Sequence, residues 1–150
     1  MVNLHTISIS FNNKVKALIT MLRSNCDPPQ KVEDAFGYIE QLMKTHTNKL
    51  LLIFMQYVYY NNKFKVAISK HKEFFFLSNK NISKNKNVAD FMNPIKTMYL
   101  KSSKVYKKKI FLYMNLLLFK VEEYYNMAEL DDIPQQPDNY NHIFMSDLKK

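Results

Sequence analysis

Four histidines, one cysteine and a cluster of acids are the side chains best suited to catalysis or metal binding, and their spacing supports neither. His5, His46, His71 and His142 stand apart, with no two at a metal-ligand spacing. His71 and Glu73 are close in sequence, but residues two apart on a helix point away from each other. Cys26 precedes Asp27-Pro28-Pro29, a helix start that favours a thiolate, yet no base accompanies it. Glu122, Glu123, Glu129, Asp131 and Asp132 gather without calcium-loop spacing and read as a solvated helix end. P-loop, nucleophile-elbow, zinc and dinucleotide patterns are missing. The reading is therefore a non-enzymatic protein with no catalytic residue, metal ligand or cofactor nominated.

Phosphate chemistry has a better claim. Lys63, Lys65, Lys70, Lys72, Lys101, Lys104, Lys107 and Lys108 are candidate phosphate-binding residues in a lysine field over 61–109. Lysines supply backbone contacts without base readout, so binding to nucleic acid would be sequence-nonspecific and steeply salt-dependent. Arg23 is the sole arginine, which leaves guanine recognition poorly served. Tyr99, Tyr106 and Tyr113 could stack on bases, but they share a helix side with Ile95 and Val105 and read as core. A lysine face could equally meet an acidic protein or, as a third reading, an anionic membrane surface.

Net charge is +9, unevenly spread. Residues 1–60 hold six basic and four acidic side chains; residues 61–120 hold 14 lysines against Glu73 and Asp90; residues 121–150 hold seven acids against Lys149 and Lys150. Composition tempers the inference. Lys, Asn, Phe, Tyr and Ile share A/T-rich codons, so the 21 lysines, 16 asparagines and single glycine partly reflect the expected genome, such as that of a large DNA virus. The 47% hydrophobic and 14% aromatic fractions are those of a folded globular chain, and glycine poverty favours helices over tight hairpins. A lone cysteine and no secretory pattern at the N-terminus point to a reducing, intracellular compartment, cytoplasmic or nuclear. The apolar runs Leu50–Tyr60 and Ile110–Phe119 are too short to span a bilayer, which takes about 20 residues.

These side chains need an all-α scaffold: a single-domain bundle of five or six helices over 1–132, then a linker and a short amphipathic tail over 133–150. Asn93-Pro94 reads as the start of a long helix reaching Asp132, the element the rest surrounds. Its middle, Ile110–Phe119, is apolar all round except for Asn115, so it needs cover on every side. Residues 2–11 alternate through Ile7, Ile9 and Phe11, which predicts a short extended arm, followed by a helix carrying Val15, Leu18, Ile19 and Leu22. Asp27 and Gln30 suggest a capping box for the next helix, and Gly37 within it suggests a close helix crossing. Lys49–Tyr60 reads as a buried helix packing on Ile110–Phe119. Residues 61–77 read as helix, with a hairpin as the alternative, and Asn79–Asn87 as a loop. Past Pro134 and Pro137, Tyr140, Ile143, Phe144 and Leu148 form a two-turn stripe, too short to be stable alone and predicted to dock on a partner or on the bundle. The functional expectation is a helical interaction or assembly protein working through protein–protein contacts or self-association. The alternative is nonspecific nucleic-acid binding through the lysines.

Overall fold

The computed structural model describes residues 2–77 and 86–135, with only the backbone of Asn87. Within them the chain forms α1 (Leu4–Asn25), α2 (Gln30–Thr45), α3 (Lys49–Phe54) running into a π-helical turn (Met55–Tyr59), α4 (Asn62–Ser69), α5 (Phe74–Leu77), α6 (Lys86–Lys101), α7 (Lys104–Met127) and a terminal 3-10 turn (Leu130–Asp132). No strand occurs among the described residues. The all-α bundle is as expected. Most of the stretch read as a loop, and the tail stripe Tyr140, Ile143, Phe144 and Leu148, lie outside the described residues.

The extended N-terminal arm is instead the first turns of α1. Asn3 Oδ1 accepts from the Thr6 amide (2.9 Å) and Thr6 Oγ1 from the Asn3 amide (3.0 Å), a capping box that starts the helix there. Ile7, Phe11, Val15, Leu18 and Leu22 then fall on one buried stripe, while Ile9 turns outward. The alternation was accidental to a helical period.

The long helix is also divided. Pro94 lies inside α6, so the Asp90 carbonyl loses its amide partner, and the break falls at Ser102-Ser103. Ser103 caps α7 by accepting from the Tyr106 amide at 3.4 Å. Buried Ser102 donates to the Met98 carbonyl (2.7 Å) and accepts from Asn25 Nδ2 (2.9 Å), which ties this corner to the end of α1. The C-terminus of α1 therefore meets the N-terminus of α7, and the two helices pack antiparallel along their lengths.

α3 and its π turn sit at the centre, touching α1, α2, α6 and α7. Leu50, Leu51, Ile53, Phe54, Met55 and Val58 are all buried there, as expected for a segment apolar all round. Edge-on aromatic contacts link Phe11, Phe54 and Phe91 through this centre, at 5.9 and 6.0 Å between centroids. Residues 61–77 are helical but broken between α4 and α5, where His71 adopts a left-handed φ of 54° and stacks on Phe111. No side chain of Asp27 or Gln30 caps α2; Pro29 occupies the N-cap and Gln30 reaches Asp34 instead (2.8 Å). Among the described residues, no atom of another element approaches within 4 Å of a Cβ built on Gly37, so no close crossing there explains that glycine. Arg23 brackets α1 to α2, bonding Glu33 and Glu40 (2.9 Å to the latter) over the Phe36 ring.

Candidate functional site

α7 buries one side and leaves the other bare. Ile110, Phe111, Met114, Leu117, Val121 and Tyr124 point into the core against α1, α3 and α4. On the opposite side Val105, Leu112, Leu116 and Phe119 are 62%, 56%, 45% and 59% exposed. Val105 therefore does not belong to the inward stripe. The cover expected all round Ile110–Phe119 is present on one side only. At 100° per residue the outer positions fall into two adjoining columns, Val105, Leu112 and Phe119 beside Lys109, Leu116 and Glu123. That is a heptad seam on the face away from the core.

The seam is charged at both ends with opposite sign. Lys101, Lys104, Lys108 and Lys109 are exposed around its start, and Glu129, Asp131 and Asp132 follow its end, with Glu123 half-buried on the seam itself. Lys109 rests over the Tyr106 ring (5.0 Å) and Lys120 holds Glu123 (3.0 Å).

The structure divides the candidate phosphate-binding lysines. Lys63, Lys70, Lys72, Lys101, Lys104 and Lys108 are exposed. Lys107 is half-buried, 3.7 Å from Glu73 and over the Tyr99 ring. Lys65 is buried, its ammonium 4.3 Å from the centre of the Tyr59 ring. Burial lowers its pKa, opposed by the charge of Glu122. The His71–Phe111 stack and the Lys107–Glu73 pair set the 70–73 turn against α7 near 107–111, so two lysine groups distant in sequence adjoin. Tyr99 is buried, donates to Glu73 (2.9 Å) and stacks on Phe76, so it has no free face; Tyr106 and Tyr113 are half-buried.

Around the π turn, Tyr59, Tyr60 and Tyr125 pack edge and tilt at 5.6–6.1 Å. Tyr59 donates to Glu122 (3.4 Å) and Tyr60 to the Pro134 carbonyl (2.7 Å). Burial raises both phenols, Tyr60 to about 12. π turns concentrate at functional positions. Here two successive tyrosines turn inward at the wide turn, an arrangement for which neither helical nor strand periodicity carries a signal. A cleft of about 790 Å³ opens between α2 and α6, walled by Tyr38, Ala35, Ala89 and Pro94 with Asp34, Asp90, Lys31 and Lys86 at its sides. Among the described residues no group of three His, Cys, Asp or Glu is placed to hold a metal ion, and no helix is long and apolar enough to cross a membrane. The comparison with known proteins is blank: no family, no curated protein and no solved structure matches the chain.

Proposed function

We propose that this protein works by contact, as a non-enzymatic helical interaction and assembly protein whose binding surface is the outer face of α7. The observation that carries this reading is the exposed apolar seam Val105, Leu112, Leu116 and Phe119 on a helix whose other side is fully packed. Single exposed apolar residues are ordinary on a protein surface; a contiguous row at heptad spacing is the pattern of a helix awaiting another helix. A photo-crosslinking residue in place of Leu112 tests it, with one in place of Lys31 on α2 as control. Capture of a partner from the Leu112 position, abolished by Phe119→Glu, is the expected result. Equal capture from both positions would remove the α7 face from its role.

The adjoining lysine groups favour a second reading, nonspecific binding of nucleic acid. Six exposed lysines of the original eight remain available to phosphates. Filter binding at two salt concentrations separates the readings: affinity whose logarithm falls linearly with log salt promotes this one, and no binding at low salt removes it.

A further inference from the structure

Resting on the reading of α7 as a contact surface, we propose that its partner is a second copy of this chain, docked antiparallel along the same seam. The charges on the seam choose both occupant and direction. A parallel pair would set Lys109 against the partner's Lys109 and Glu123 against the partner's Glu123, like against like at both ends. Turning one helix end for end removes both clashes in a single register.

In that register Leu112 faces the partner's Leu116, and the two-fold axis passes beside this pair, so each leucine is used twice. Lys109 comes level with the partner's Phe119, an ammonium over an aromatic face. Val105 comes level with the partner's Glu123, whose carboxylate then lies within one turn of the partner-facing Lys108 and Lys109. All three pairings share one spacing, which the sequence needs no insertion to satisfy. The apolar members of both columns are accessible, as the pairing requires: Leu112, Leu116, Phe119 and Val105 are all open to solvent in the single chain. The ion partners are available too, because among the described residues Lys109 is held only by the Tyr106 ring and Glu123 only by a lysine three residues away on its own helix. Such pairs on one helix are weak and exchange readily. The charge layout makes the face complementary to itself, as an isologous interface must be.

The seam is short, with four apolar side chains per copy, so the dimer is a weak and concentration-dependent one. Sedimentation equilibrium of the full chain, up to about 1 mM so that even a millimolar dissociation constant is visible, is the test. A monomer–dimer equilibrium is expected. Leu116→Glu should weaken it by about a hundredfold or more, as for a residue at the interface centre. Lys109→Glu and Glu123→Lys should each weaken it by about tenfold, and the double variant should return to within about threefold of the natural chain. Circular dichroism of each variant checks that the exposed substitutions leave the bundle folded. A strict monomer over the whole range overturns the proposal, as does a dimer indifferent to Leu116→Glu or a double charge reversal no better than the singles. Dimerisation that appears only when residues 136–150 are removed also overturns it, by making the chain's own tail the occupant. The crosslinking experiment separates this failure from that of the contact reading: a strict monomer still captured by a different protein at Leu112 sinks the self-pairing alone.

Discussion

The buried tyrosines Tyr59, Tyr60 and Tyr99 set a limit on alkaline stability. Burial raises the phenols of Tyr59, Tyr60 and Tyr99, so the folded chain keeps their protons after the unfolded chain has released them. A raised pKa contributes stability that is complete below the unfolded value and lost as pH climbs through the folded one. For Tyr60 that window runs from 10.0 to about 12. Lys65 works against them, since its lowered pKa penalises the folded state at neutral pH and the penalty fades as pH approaches the ordinary lysine value. Three phenols outweigh one ammonium, so thermal midpoints should fall steadily above pH 10.0. Tyr60→Phe should flatten that fall while costing about 1 kcal/mol at neutral pH for the lost bond to Pro134. Midpoints measured across the alkaline range, alongside tyrosinate absorbance, check it; an unchanged alkaline limb would remove Tyr60 from the account. Gly37 gives a simpler test. It sits in the interior of α2 with open space where a Cβ would stand, so Gly37→Ala should stabilise the protein by about 1 kcal/mol in urea unfolding. Destabilisation would mean that the open side of α2 is covered by something in solution.

At the element scale, what was legible depended on whether the signal was periodic or local. Ile110, Leu117 and Tyr124 on the buried side of α7, and the burial of most of α3, could be read because apolar residues recur at 3.6-residue spacing and tertiary packing follows that spacing. Leu117 is fully buried, and Leu117→Ala should cost about 2–5 kcal/mol, measured by chemical denaturation. A change below about 0.5 kcal/mol would place it on a surface. The ends of elements were less legible. Pro94 looked like a first-turn residue, but Phe91, Met92, Ile95 and Met98 bury a continuous stripe across it, and that burial outweighs one lost hydrogen bond. Ser102-Ser103 held the true start, a capping serine with no acid three residues on to advertise it. At the N-terminus a six-residue alternation, Thr6 to Phe11, imitated a strand, while the better signal, Asn3 paired with Thr6, lay one turn upstream. The candidate site divides the same way. Its charged and apolar members were all visible in the chain, but which side of α7 stays bare is decided by where α1, α3 and α4 pack, and no local pattern carries that.

At the scale of the whole molecule, charge is the term left unbalanced. The chain carries +9 overall, and the excess is concentrated where the 70–73 turn adjoins the start of α7. The first turns of α7 present Lys104, Lys107, Lys108 and Lys109 to the positive end of a helix dipole, with no acid among them. Both the dipole and the neighbouring lysines oppose that arrangement. Among the described residues, Lys107 alone of these four has a carboxylate within ion-pair distance, Glu73 at 3.7 Å and half open to solvent, which contributes little. Repulsion should therefore exceed attraction across this surface. Raising the ionic strength from about 0.01 M to about 0.15 M shortens the screening length from about 30 Å to about 8 Å and so weakens the dominant, repulsive part. The thermal midpoint should rise over that range. Lys104→Glu should do two things at once. It should raise stability at low salt by about 0.3–1 kcal/mol through the helix dipole, and it should reduce the salt dependence by removing one member of the cluster. Differential scanning calorimetry of both chains at the two salt concentrations decides the matter. A midpoint that falls with added salt would show that the Arg23 bracket and the other ion pairs dominate, and the lysine surface would then be a balanced one with no surplus charge to offer an acidic partner.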